Sequence, residues 1–248
     1  VLVGAIDLSI GPLAGLCVVL ASFLAPDGVE TGPLAAGVIL ILLFTTIFGL
    51  LQGLLITSLR LPAIVVTIAT FIGLQGVSLL LRPTAAGQID DAISNAAQFP
   101  IAFLPAGVVL TLVMVVCAEW LLFRTGFGRS FRAVGSSPLA SYRLGIDSQR
   151  LTWLAFVISG LLTGIGGLMQ AHYAEEVVPN ALYGRELDVL AATVLGGARL
   201  GGGKGSVIGC VLGVLMVSIT QNGLNLMGVS PFAFKMIVGA IILVILTL

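Results

Sequence analysis

Charge is scarce in this sequence. Its 248 residues carry 11 Lys and Arg and 11 Asp and Glu, 9% of the chain, where a soluble domain carries roughly 25%. So few charges cannot cover the surface of a water-soluble protein of this length, so lipid is the solvent for most of the chain. The charges sum to zero, which removes the basic field a nucleic-acid partner needs. There is one histidine, His172, which excludes a histidine metal cluster or triad within the chain. The three cysteines, Cys17, Cys117 and Cys210, are far apart inside apolar runs and form no CxxC pair, so neither a disulfide framework nor a zinc site is expected. No metal or cofactor is expected.

Hydrophobic residues, by contrast, make up 58% of the chain. A helix needs about 20 apolar residues to cross the hydrocarbon core. Seven runs meet or approach that length: Leu8–Leu24, Leu34–Ile56, Leu61–Leu81, Ala106–Phe123, Leu151–Ala171, Gly205–Gln221 and Ala233–Leu248. An eighth, Leu187–Ala198, is too short and is expected to be broken or re-entrant. The runs are continuously apolar, without the period-2 alternation of barrel strands. The expected fold is all-α, a polytopic transmembrane helix bundle with one short or broken segment, in a single domain over residues 1–248. The chain opens at Val1 close to an apolar run and stops inside another at Leu248, so it is expected to be a fragment lacking upstream helices. Pro33, Pro62, Pro105 and Pro231 fall at or just before helix starts, where a missing N–H costs nothing. Gly160, Gly164 and Gly167 recur three or four residues apart, a spacing that lets helices pack closely.

Positive charge stays in the cytoplasm. Alternate loops divide into a set carrying Arg60, Arg124, Arg129, Arg132, Arg143, Arg150, Arg199 and Lys204, and a set with only Arg82, Arg185 and Lys235. Asp27, Glu30, Asp90, Asp91, Glu175, Glu176 and Glu186 join the second set. The first set is expected inside. The longest inside loop, Arg124 to Arg150, contains a complete short-helix signal: Ser137 to cap, Pro138 at the first helical position, and Gly145 just past the end. Leu139, Tyr142 and Arg143 lie between. A helix so short must dock on something, either its own bundle and membrane surface or a cytoplasmic partner.

A weak internal repeat pairs Asp7-Leu-Ser-Ile-Gly11 with Glu186-Leu-Asp-Val-Leu190, and Gln52-Gly-Leu-Leu55 with Asn222-Gly-Leu-Asn225. The loop charges give the two halves opposite directions, the inverted repeat of many transporters. Asp7 and Asp188 both precede apolar runs. Capping a helix N-terminus is the first expectation for each; lining a translocation path is the second, since a carboxylate at membrane depth costs about 3 kcal/mol. Ala198-Arg-Leu-Gly-Gly-Gly-Lys204-Gly-Ser206 fails the phosphate-loop pattern at Ala198 and Gly205 and reads as a tight turn between helices. No residue set here is suited to ATP hydrolysis.

Taken in order, several stretches resemble the permease subunits of ribose-type ABC importers, in the group that includes branched-chain amino acid permeases. Gly4-Ala-Ile-Asp-Leu-Ser-Ile-Gly11 is similar to that family's GGIDLSVG, and Leu61-Pro-Ala-Ile-Val-Val-Thr67 to its LPPFIVTL. The run from Ala133 to Asp147 resembles its AxGxNxxAARLSGI loop. Pro179-Asn180 with Glu186–Gly197 resembles PN…YELDAIAAVVLGG, and Gly202–Ser206 and Asn222–Pro231 continue the match. Ala5, Ser137 and Ser141 depart from the pattern. The resemblance implies a multi-pass permease of the bacterial inner membrane, in contact with membrane lipid, that moves a monosaccharide. Its implied partners are a second permease chain, a periplasmic sugar-binding protein, and a cytoplasmic ATP-binding subunit docked on Ser137, Pro138, Leu139, Tyr142, Arg143 and Gly145. Hydroxyls, amides and carboxylates would line the path: Asp7, Ser9, Thr67, Thr70, Gln75, Asp188, Asn222 and Asn225. The alternatives are a branched-chain amino acid or nucleoside permease of the same architecture, and an ion-coupled secondary transporter using Asp7 and Asp188.

Overall fold

Prolines and hydroxyl residues at the ends of the apolar runs decide where helices begin. A computed structural model describes residues 1–24, 31–87, 89, 95–96, 98–101, 103–171, 177–230, 236 and 239–240, with the side chains of 31–33 left out. Its helices are α1 (Ile10–Leu24), α2 (Thr31–Ser58), α3 (Ala63–Leu81), α4 (Ala106–Arg124), α5 (Gly126–Ser136), α6 (Pro138–Arg143), α7 (Ser148–Ala171), α8 (Arg185–Leu195) and α9 (Val207–Leu226). Pro62 immediately precedes α3, and Pro105 immediately precedes α4. A two-residue antiparallel hairpin, β1 (Pro100–Ile101) and β2 (Leu104–Pro105), is a small addition to the expected all-α fold.

Among the described residues, five helices are long and apolar enough to cross a membrane: Leu34–Ser58 within α2, then α3, α4, α7 and α9. They correspond to five of the seven expected runs. The first run gives only the 15-residue α1, because Asp7–Ser9 stays outside the helix. At 1.5 Å per residue α1 is about 22 Å long, short of the roughly 30 Å core. The short eighth run is the 11-residue α8, about 16 Å long. Most of the seventh run, with Pro231 and Lys235, lies outside the described residues, as do His172, Asp27, Glu30, Asp90, Asp91, Glu175 and Glu176. Along the spans, Ile39, Leu43, Ile47, Leu51, Ile72, Val116, Leu212 and Ile219 are exposed, the apolar surface a bilayer would cover.

The chain divides into two compact units. One contains Ile6–Met114 and Gln149–Tyr183, the other Val1–Ala5, Val115–Ser148 and Gly184–Leu248.

In the first unit α1 packs against α2 and α3. Its core is Leu13, Leu16, Cys17, Val19 and Ala21 of α1 with Ile41, Leu74, Ala171 and Val177. Helix α7 crosses α2 at small residues: a Cβ on Gly49 would strike the Phe156 carbonyl, and one on Gly160 would strike the Thr45 carbonyl. The glycines of α7 are therefore packing residues, as their spacing suggested. The segments following α3 and α7 are tied together, because Ala86 N–H donates to the Val177 carbonyl (3.2 Å) and Val177 N–H to the Gly87 carbonyl (3.3 Å). Arg82 anchors the end of α1 by donating from Nε to Ser22 Oγ (2.8 Å) and lying 4.2 Å over the Phe23 ring.

In the second unit α8 packs on α9 through glycine. A Cβ on Gly213 would meet the Ala192 carbonyl, and Val217 and Leu224 cover buried Ala191. The turn between α8 and α9 is closed by Arg199 N–H donating to the Lys204 carbonyl (3.0 Å) and by positive φ at Gly202, Gly203 and Gly205. The stretch that resembled a phosphate loop is a tight turn. Amphipathic α5 starts at Thr125, whose hydroxyl accepts the Gly128 N–H. Phe127 meets Phe131 edge-on at 4.6 Å, and Arg132 is folded back to the Leu122 carbonyl (2.9 Å) and the Phe123 ring.

Candidate functional site

Apart from Gln75, the expected site residues fall into three places, each within one unit. The first surrounds the unwound stretch ahead of α1. Asp7 Oδ1 accepts from the backbone N–H of Ser9 (3.0 Å) and from Ser9 Oγ (2.7 Å), and Oδ2 accepts from Ser159 Oγ on α7 (2.9 Å). Gln52 of α2 then donates from Nε2 to Ser9 Oγ (2.9 Å) and to Thr70 Oγ1 on α3 (2.6 Å). The Thr70 hydroxyl in turn donates to the Val66 carbonyl (2.9 Å). Thr67 is fully buried beside them, with its hydroxyl on the Ile64 carbonyl at 3.2 Å and the Ile6 carbonyl at 3.4 Å. One polar network thus joins α2, α3 and α7 to the segment entering α1. A buried network of this kind stiffens what it joins when every member is satisfied.

Four of the expected path residues, Asp7, Ser9, Thr67 and Thr70, come together here. The structure corrects the reading of Asp7 as a helix cap: its oxygens serve Ser9 and Ser159, while the Ser9 carbonyl accepts the first α1 bond from Leu13 N–H. Gln52 was recognised only as part of the repeat, and Ser159 was passed over inside an apolar run. A carboxamide in the middle of a span was a usable signal for Gln52; a lone serine offers none. Gln75 lies elsewhere, in a groove of α1 and α3 with Ser78, Asn180 and Tyr183 whose free volume, about 10 Å³, matches one water rather than a sugar.

The second place is a cavity of about 300 Å³ in the other unit, lined by Arg185, Ser218, Gln221, Asn222, Leu224, Asn225 and Val229. That volume is at the lower end of ligand pockets. Asn222 and Asn225 meet there as expected. Asp188 stands next to it, 3.8 Å from the Arg185 guanidinium. The structure also corrects the capping reading of Asp188. Gly184 occupies the N-cap without a side-chain bond, and Asp188 lies inside the first turn of α8, where a negative charge still favours the helix dipole.

The third place is α6. Ser137 Oγ accepts the Ala140 N–H (3.3 Å), Pro138 opens the helix, and Gly145 takes φ +77°. Ile146 N–H reaches back to the Ser141 carbonyl (3.0 Å), completing a Schellman stop. Leu139, Tyr142 and Leu144 are 66%, 76% and 77% exposed. These exposed side chains stand on a short helix that is closed at both ends.

One further position was passed over, although a carboxylate inside the apolar run Ala106–Phe123 was itself a signal. Glu119, inside α4, accepts the Val207 N–H (2.7 Å) and the Ile208 N–H (3.4 Å), so a carboxylate from one helix closes the N-terminus of another. Ser206 caps the same end by accepting from Gly209 N–H (2.9 Å).

A family model described as "Branched-chain amino acid transport system / permease component" matches residues 1–246. Among curated proteins, the probable ABC transporter permease protein y4mJ of Sinorhizobium fredii is 33% identical over 98% of this chain and 73% of its own length. The autoinducer 2 import system permease protein LsrC of Photorhabdus laumondii is 31% identical over 97% of this chain and 72% of its own. The ribose import permease protein RbsC of Escherichia coli is 29% identical over 100% of this chain and 78% of its own. No solved structure matches.

Proposed function

The chain belongs to the branched-chain amino acid transport system / permease component family, and on that premise we propose that it is the permease subunit of an ATP-driven importer carrying a monosaccharide. It is a multi-pass protein of the bacterial inner membrane. The observation that carries the importer reading is α6, capped at both ends and presenting Leu139, Tyr142 and Leu144 to solvent. A short rigid helix of this kind can carry the motion of a docked partner into a membrane domain. Its partner would be a cytoplasmic ATP-binding subunit, the source of energy that an importer permease of this family implies. The arginine-rich loops then lie in the cytoplasm, and a periplasmic binding protein would deliver sugar to the opposite face. A second permease chain would complete the pathway.

The sugar reading is supported by relatives named for ribose and autoinducer 2 import and by the carboxamide-rich cavity on α9. In this reading Asp188, Asn222 and Asn225 border the path. Asp7, Ser9, Thr67 and Thr70 act as a frame holding the entry to α1, and Gln75 lies on a narrow groove beside it. A branched-chain amino acid is the second reading, favoured by the Arg185–Asp188 pair, whose two charges could clasp a carboxylate and an ammonium.

The test is uptake by the reconstituted importer with radiolabelled ribose and leucine side by side. ATP-dependent uptake of ribose is the expected result. Leucine uptake alone would establish the second reading. Transport that survives ATP depletion but collapses with the ion gradient would replace both with a secondary transporter.

A further inference from the structure

We propose that the α9 cavity binds neutral polyols and that Asp188, by neutralising Arg185, makes it reject anionic sugars. The inference rests on the reading of the chain as a sugar permease and adds a residue that sets its specificity. It starts from the pattern on α9. Ser218, Gln221, Asn222 and Asn225 recur three or four residues apart, so they share one face of a helix, and all four line the cavity. Polar side chains on a membrane-spanning helix mark a polar pathway or partner rather than a lipid-facing surface.

The chemistry of that face is specific. Each carboxamide offers two donors and an acceptor, and the serine hydroxyl offers both. A sugar hydroxyl also donates and accepts, so a row of carboxamides along one helix face can satisfy a polyol in many orientations without a charge. Among the described residues, the one cation on the wall is Arg185. Left alone, a guanidinium is the preferred partner of carboxylates and phosphates. Here it lies 3.8 Å from Asp188 Oδ2. Asp188 is held on the same helix three residues along, and it is far less exposed than Arg185, 19% against 55%. The described wall therefore presents hydrogen-bonding groups without net positive charge, which admits an aldose and gives no advantage to its aldonate.

The experiment uses the purified permease with Cys117→Ser and Cys210→Ser, and a reporter at Val229→Cys, which lines the cavity without altering its polar face. Cys17 is kept, because it is fully buried and its failure to react reports a folded protein. Reaction of the reporter with neutral methyl methanethiosulfonate is timed with D-ribose or D-ribonate present. Ribose is expected to slow the reaction and ribonate to leave it unchanged. In Asp188→Asn, ribonate is expected to protect as well. The rate with anionic sulfonatoethyl methanethiosulfonate, relative to the neutral reagent, is expected to rise about threefold, the size of one unmasked charge several ångströms away in water. Asp188→Glu, which restores the charge, is expected to return both readings to the original.

Failure of ribose to protect would overturn the polyol site. Protection by ribonate with Asp188 intact, or no change in reagent preference in Asp188→Asn, would overturn the charge-balance role. The assay needs no ATPase, so a loss of ATP-driven uptake would count against the importer reading alone.

Discussion

Ser159 donates its hydroxyl proton to Oδ2 of Asp7 across 2.9 Å, joining positions 152 residues apart in the chain. The bond fixes α7 to the unwound segment ahead of α1. With Ser9 on the other carboxylate oxygen and Gln52 behind Ser9, it stops α1 from extending by another turn toward its N-terminus. The half-span follows from a polar network that competes with helix continuation.

Removing the carboxylate should cost more than removing one of its donors. Ser159→Ala is expected to lower stability by about 1 kcal/mol, and Asp7→Ala by about 2–3 kcal/mol, because it strands several donors at once. Thermal melting of the detergent-solubilised protein checks the order. Equal losses would mean that the serine bond carries the whole effect.

Gln52 and Thr70 should behave as a coupled pair, since the 2.6 Å bond joins α2 to α3. In a double-mutant cycle with Gln52→Leu and Thr70→Val, an interaction energy of about 1 kcal/mol is expected. Additivity to within about 0.3 kcal/mol would show the two acting independently.

Glu119 caps α9 from another helix. Glu119→Ala is expected to destabilise by about 1–2 kcal/mol, in the range of a lost N-cap with a favourable charge. Hydrogen exchange at the amides of Val207 and Ile208 should quicken. Glu119→Gln keeps an acceptor and should lose less.

On α6, Leu139→Asp and Tyr142→Asp change side chains that stand in solvent in this chain, so its own stability should stay within about 0.5 kcal/mol. Co-purification with the ATP-binding subunit should be lost. Retention of that subunit by both variants would move the contact elsewhere. Ser137→Ala, which removes the cap, should weaken α6 by about 1 kcal/mol and loosen the same contact indirectly.

Gly135, at the end of α5, is crossed by two backbone segments. A methyl group there would overlap the Leu2 carbonyl and the Gly203 amide, and these two are themselves hydrogen-bonded at 2.9 Å. Gly135→Ala is expected to cost about 1–3 kcal/mol, as overpacking does, and to break the Gly203–Leu2 bond. A Tm unchanged from the parent would show that the crossing relaxes freely.

Parts of this were legible in the residues alone. The order of the apolar runs, the short eighth segment and the caps of α6 depend on local composition, on Ser137, Pro138 and Gly145, and on the thickness of a bilayer. Asn222 and Asn225 could be placed together because three residues along a helix return to the same face. Asp7 and Asp188 were singled out because a carboxylate in an apolar run is costly, but neither takes the capping position: Asp7 stands two residues ahead of Ser9 and is held by the Ser9 amide and the Ser9 and Ser159 hydroxyls, and Asp188 lies inside the first turn of α8 behind Gly184.

Sequence by itself therefore determined the solvent, the helical class, the number and length of most described spans, and the short loop helix. Each is set by interactions within a few residues or by transfer from water to lipid. Tertiary structure alone decided that Asp7 meets Ser159, that Gln52 bridges Ser9 and Thr70, that Glu119 caps a distant helix, and that Gly135 makes room for Leu2. These partners lie far apart along the chain. Their pairing is set by which helix faces pack at small residues, and hydropathy, which averages over a face, does not record it.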